Sequence, residues 1–153
     1  MNSLLERAIL LAVQNHAGQV DRAGVPYILH PIRVMLAGNT PETQIIGALH
    51  DLLEDTALTS EMLTEAGFPL DIVDAVIALT KREQESYEDF IERTIQNPLA
   101  RKVKLNDLRD NLNLLRLNEV TEADIPRLNR YLRAIQRIKE AENHDAGLLG
   151  NRK

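Results

Sequence analysis

An all-α, single-domain helical bundle is the fold class this sequence predicts. Apolar residues recur at helical spacing through most of the chain, no convincing strand interrupts them, and Pro, Ser and Thr fall where helices begin. With 153 residues, 44% hydrophobic and 27% charged, the chain is long enough to bury one substantial core.

The elements follow in order. Leu4, Leu5, Ala8, Leu11 and Ala12 recur at helical spacing, and GQVDRAGVP then interrupts with glycines and a proline as a loop. Helix resumes over about 28–36. Pro41 suits a first helical turn, and IIGALHDLL after it is apolar on nearly all faces, which predicts a central buried helix carrying His50 and Asp51. Thr59 and Pro69 open two further helices, the second turning Ile72, Val73, Val76, Ile77 and Leu79 towards a core. Ser86 with Asp89 resembles a capping box ahead of Phe90 and Ile91. Pro98 starts another helix, through LARKVKLNDLRDNLNLL. Thr121 with Asp124 caps a last helix, on which Ile125, Leu128, Leu132, Ile135 and Ile138 form a stripe and Arg127, Arg130, Arg133 and Arg137 lie largely off it. The expected division is one domain over 1–142 and a flexible tail over 143–153.

Composition excludes several function classes. A formal net charge of −5 argues against a broad nucleic-acid surface, and the arginines of the last helix read as a solvated face. There is no cysteine, hence no disulfide framework and no thiolate ligand, so any metal site must use His, carboxylate, amide or water. No signal-peptide pattern is present, and no segment approaches the roughly 20 apolar residues of a membrane span. The cytoplasm is therefore the expected compartment. The last amphipathic helix can pack against its own bundle or against a symmetric partner, which leaves a homodimer open.

Metal-type ligands are dispersed along the chain: His30 in LHP, the adjacent pair His50 and Asp51, and Asp107 in KLNDLRDN. In a continuous helix His50 and Asp51 diverge by about 100°, so both reach one ion only if it lies over the edge between them. Glu54, four residues after His50 and three after Asp51, shares their face, and Asp55 follows. Such a charge density on a buried helix requires compensation, which a divalent cation supplies; the other reading is an acidic helix end with one packed histidine. His30 precedes Pro31, whose restriction aims the imidazole repeatably, although a packed histidine would look the same. Asp107 emerges beside Val103, Leu105 and Leu108, with Asn111 four residues further along its face; capping or pairing with Lys104 or Arg109 is its alternative. His16, Tyr27 and His144 read as structural residues: a helix-end packer, a loop support and a tail residue.

AVQNHAGQVDRAGVPYILHPIRV, IIGALHDLLEDTALT and KVKLNDLRDN, in that order between Leu4 and Leu115, resemble the successive signatures of the HD-domain phosphohydrolases. The likeness is to the alarmone-hydrolase branch of the RelA/SpoT family and its small single-domain relatives. It implies an HD-domain helical bundle with one divalent metal ion, typically Mn2+, on His30, His50, Asp51 and Asp107. Other transition metals suit the same donors. It further implies that Glu54 and Asp55 orient or activate the attacking water, that Asn111 lines the pocket, and that the reaction removes the 3′-pyrophosphate of ppGpp.

Arg22, Lys104 or Arg109 would bring cationic help to such a substrate, with Arg33 a weaker candidate. A nucleoside monophosphate is the second substrate to consider, and a catalytically weak metal- or nucleotide-binding module is the alternative from a different class. The chain departs from the family pattern where Asp21 replaces an arginine, Ala23 a serine, Leu108 an arginine and Asp110 a histidine, while Arg22 stands at the family's lysine position. The metal ligands are thus matched more fully than the cations expected around the substrate.

Overall fold

Helix-start chemistry sets the frame of the bundle. The structure, a computed structural model, describes residues 3–150, with no strand among them. Ser3 and Glu6 form a reciprocal capping box at the start of α1 (Leu4–Asn15), which satisfies amide groups that the first helical turn leaves unpaired. After a loop come α2 (Leu29–Leu36) and α3 (Pro41–Leu49), the latter with Thr40 as its cap and Pro41 in its first turn. A short α4 (Leu52–Asp55) leads to α5 (Ser60–Glu65), capped by Thr59, and to α6 (Leu70–Ala78), entered through Pro69. Then follow α7 (Tyr87–Ile95), α8 (Pro98–Asn111), 3-10 turns at Leu114–Arg116 and Glu122–Asp124, and α9 (Ile125–Gly150).

Two apolar clusters share α8. Ala8, Val34, Ile46, Leu49, Val76 and Val103 belong to the first, while Phe90, Leu105, Leu108, Ala134 and Ile138 belong to the second. On α8, Ala100, Val103 and Asp107 recur at helical spacing on the face turned to the first cluster, so Asp107 is carried inwards by its apolar neighbours. Against the same cluster, α2 and α3 cross at short range. A Cβ on Gly47 would lie 2.8 Å from Met35 Cα and 2.9 Å from Met35 N, so only glycine permits this approach.

Several local expectations change. The buried helix predicted to run through His50 and Asp51 breaks there: His50 caps α3, and Asp51, at φ −99° and ψ −4°, precedes α4. The helix from Pro98 ends at Asn111 rather than running to Leu115, which is 95% exposed. Asp89 bonds the Ser86 hydroxyl at 2.8 Å instead of reaching back to the Ser86 amide, so only the Ser86 half of that capping box forms. On α9 the expected stripe holds at Ile138, which is buried, and at Ile135, which packs against the second cluster, but Ala134 and Tyr131 join them while Ile125 and Leu132 are each 50% exposed. The stretch expected as a tail from residue 143 continues α9 as helix to Gly150; the remainder of that stretch lies outside the described residues. No helix among the described residues is long and apolar enough to cross a membrane.

Candidate active site

The break between α3 and α4 makes the site. At a helical divergence the side chains of adjacent residues point apart, but the turn at positions 50 and 51 folds them together, with His50 Nε2 and Asp51 Oδ2 3.0 Å apart. The first turn of α2 supplies His30, whose Nε2 lies 3.2 Å from that of His50. Asp107 reaches in from α8, its Oδ1 3.1 Å from His30 Nε2 and 3.7 Å from His50 Nε2. Asp51 Oδ2 also lies 3.5 Å from His30 Nε2. Donor atoms of His30, His50 and Asp107, all buried, fall within 4.8 Å of one another.

The donor set fits a divalent cation. Metal–nitrogen and metal–oxygen distances of about 2.0–2.2 Å place neighbouring ligand atoms roughly 3.0–3.5 Å apart in octahedral or tetrahedral geometry, and most of the contacts above have this spacing. The tautomers agree. His50 Nδ1 faces the Gly47 carbonyl at 2.8 Å, an acceptor only, so Nδ1 carries the hydrogen and the neutral ring turns a bare Nε2 to the cluster. His30 Nδ1 lies 2.6 Å from Asp110 Oδ2 and by the same reasoning donates to it. Bare nitrogens that face one another beside two carboxylates require a cation or protons between them.

Electrostatics describe the same demand. Burial alone would lower the pKa of His50, but the Asp51 and Asp107 carboxylates outweigh it and hold the imidazole well above its ordinary value. His30 is raised likewise, with Asp107 and Asp110 outweighing burial. Asp107 is held well below the usual carboxylate range: burial opposes this, and the Lys104 ammonium with the two histidines overcomes it.

Other sequence-derived candidates divide between the cluster and its surroundings. Lys104 Nζ donates to Asp107 Oδ2 at 2.7 Å and sits 5.0 Å from the Phe90 ring centroid, so this buried ammonium is engaged by Asp107. Asn111 Nδ2 donates to Asp107 Oδ1 at 2.8 Å. Glu54 and Asp55 lie on the more open side of α4, exposed as residues but with carboxyl groups partly desolvated by their surroundings. Glu54 Oε1 accepts the Lys81 amide at 2.7 Å, and burial raises the carboxyl pKa despite that bond. Burial, then the neighbouring Asp51, also raises Asp55.

Beside the cluster is a cavity of about 250 Å³, lined among others by Arg22, Tyr27, Asn111, Arg116 and Tyr131. Tyr27 and Asn111 belong to both, since the Tyr27 hydroxyl donates to Asp51 Oδ2. Burial, then Asp51, drives the Tyr27 pKa far up, so the phenol stays a donor.

By sequence alone Tyr27 is assigned to loop support, Arg33 is a weaker cationic candidate, Asp110 is only a departure from the family pattern, and Arg116 is passed over. Tyr27 lies three residues before His30, a separation that can place both on one turn, but an aromatic residue at the end of a Gly- and Pro-containing loop reads as support for that loop. Arg33 grips Asp110 through Nε at 2.6 Å and Nη2 at 3.0 Å, and Arg116 Nη1 meets Asp21 Oδ2 at 3.2 Å. Nothing local in the chain announces these pairings.

Comparison with known proteins places the arrangement. No family model matches the chain. It is 34% identical over 123 residues to a guanosine-3′,5′-bis(diphosphate) 3′-pyrophosphohydrolase of Aquifex aeolicus, a match covering 72% of this chain and 18% of that protein. Over 126 residues it is 34% identical to a probable GTP pyrophosphokinase of Mycobacterium leprae, covering 74% and 16% respectively. The chain thus spans less than a fifth of the length of these curated relatives. A solved structure described as a metazoan ortholog of SpoT that hydrolyses ppGpp superposes with a TM-score of 0.70 at 23% identity, over 92% of this chain and 86% of that one, and so shares the fold. Those matches, with an all-helical bundle that converges histidines and aspartates on one point, make the chain a RelA/SpoT hydrolase-like domain of the HD type.

Proposed function

We propose that this protein is a metal-dependent phosphohydrolase that removes the 3′-pyrophosphate of ppGpp, in the cytoplasm and without a nucleic-acid partner. The observation that carries the reading is the convergence of His30, His50 and Asp107 within 4.8 Å, with Asp51 against both histidines. These four residues would hold one divalent ion, Mn2+ being the leading candidate for a nitrogen and oxygen donor set without thiolate. When bound, such an ion supplies Lewis acidity towards a phosphoryl oxygen and acidifies water.

The chain's own groups do the rest. Glu54 and Asp55, with carboxyl pKa values raised by burial, are suited to accept the proton of the attacking water. Lys104 and Asn111 hold both oxygens of Asp107 in place, and the Tyr27 hydroxyl holds Asp51. The neighbouring cavity offers Arg22 and Arg116 to phosphate oxygens, Asn111 to polar atoms and the Tyr131 ring to a base. Hydrolysis adds water across the 3′ phosphate ester and leaves GDP and pyrophosphate.

A catalytically weak binding module is the second reading, favoured by Asp21 on the cavity wall, where a carboxylate repels phosphate. One assay separates the two. Metal-stripped protein, given Mn2+, is incubated with ppGpp, GDP, GTP, AMP and dAMP. Pyrophosphate released from ppGpp, and lost in His50→Ala and Asp107→Ala variants that remain helical, supports the hydrolase. Turnover indifferent to both changes removes the site, phosphate from AMP or dAMP reassigns the substrate, and binding without turnover selects the module.

A further inference from the structure

Asp110 is engaged from several sides. Its side chain is 10% exposed; Oδ2 accepts His30 Nδ1 at 2.6 Å, and both oxygens are gripped by Arg33, Oδ1 by Nε at 2.6 Å and Oδ2 by Nη2 at 3.0 Å. Arg33 stands three residues after His30 on α2, so one face of that helix presents an imidazole and a guanidinium to a single carboxylate on α8. The backbone carbonyl of Asp110 accepts Arg116 Nη2 at 3.2 Å as well.

The histidines of the cluster are therefore backed differently. His50 leans on a neutral carbonyl, that of Gly47, while His30 leans on an anion. A carboxylate behind an imidazole fixes its orientation, keeps the hydrogen on the outer nitrogen and makes the inner one a better donor to a metal. A carboxylate free to rotate would do this poorly. The two-point guanidinium fork removes that freedom.

We propose that Asp110, clamped by Arg33, is the positioning residue that makes His30 a strong metal ligand in this chain. The proposal rests on the metal-site reading above. It assigns a role to a residue that departs from the RelA/SpoT pattern, where a histidine is usual. The competing explanation is a simple ion pair that fastens α2 to α8 and contributes only to stability.

Calorimetric titration of the metal-stripped full chain with Mn2+ separates the two, with thermal melts of each metal-free variant alongside. Asp110→Ala is expected to weaken Mn2+ binding by roughly ten- to a hundredfold, the usual effect of losing such an outer partner. Asp110→Asn, which keeps an oxygen acceptor for His30 without the charge, is expected to recover part of that loss. Arg137→Ala, which breaks a surface pair with Glu92 far from the cluster, is the control and is expected to bind as wild type does. A folded Asp110→Ala protein with lower melting temperature but unchanged Mn2+ affinity overturns the proposal and leaves the metal site standing; if Ala prevents folding, unchanged affinity in Asp110→Asn does the same. Wild-type protein that takes up no Mn2+ overturns both, and that outcome is visible without any variant.

Discussion

Arg116 Nη1 and Asp21 Oδ2 meet at 3.2 Å across 95 positions of the chain, on the wall of the cavity beside the metal-type cluster. The pairing answers the charge reversal at position 21, since the aspartate that would repel phosphate is neutralised by an arginine from the turn after α8. Asp21 also shapes its own loop: Oδ1 accepts the amides of Ala23 at 2.8 Å and Val25 at 3.0 Å.

Opposite effects on KM follow from that pair. Arg116→Ala leaves the Asp21 charge unopposed and is expected to raise KM for ppGpp by roughly tenfold, at a stability cost of about 1 kcal/mol or less because the pair is partly solvated. Asp21→Asn keeps an oxygen for the loop amides but frees Arg116, and is expected to lower KM. Steady-state kinetics on both variants decide the matter, and movement of both KM values in the same direction contradicts the assignment.

Gly47→Ala tests how closely α2 and α3 must approach. The added methyl would meet Met35 backbone atoms at 2.8 and 2.9 Å, which neither helix can relieve by a side-chain rotation. A loss of about 1–3 kcal/mol is expected in urea unfolding. Because the same displacement parts His30 from His50, Mn2+ affinity is expected to fall with it; an unchanged affinity would mean that this crossing does not set the ligand spacing.

Tyr27→Phe removes one hydroxyl and little volume. Its hydrogen bond to Asp51 is partly buried, so about 0.5–1.5 kcal/mol is expected from its loss, up to roughly tenfold in Mn2+ affinity if it bears wholly on the ligand. Titration with Mn2+ checks this, and affinity equal to wild type would confine Tyr27 to loop support.

Metal-free protein is expected to show a particular pH profile. His30 and His50 have folded-state pKa values raised above 6.5, so the stability they contribute is fully present below 6.5 and lost as pH climbs through the raised values. Asp107 is lowered below 3.8, so its contribution is present above 3.8 and lost as pH falls through the depressed value. Thermal melts in chelator are expected to peak between those limits and to decline as pH climbs through the raised histidine values. Saturating Mn2+, which needs deprotonated imidazoles, is expected to abolish the decline. A metal-free Tm that rises over the alkaline interval would contradict the arrangement of charges.

Local periodicity in the chain already specified most of the helices. Thr59, Pro69, Ser86 and Pro98 mark real starts because capping and proline constraints act within one turn, where sequence distance and spatial distance coincide. His30, His50, Asp51 and Asp107 were legible as candidate ligands from residue type and order, and folding brings them to one point. The pair of Lys104 with Asp107, three positions apart on α8, was open to a sequence reading, but tertiary packing alone supplied the break after His50 and the pairings of Tyr27 with Asp51, His30 and Arg33 with Asp110, and Arg116 with Asp21. Those pairings span 24, 80, 77 and 95 positions, and helical spacing carries no information at such separations. Which buried charge finds which partner is settled by how the helices cross, because an unpaired ion in the interior is too costly to be left where local propensity would put it.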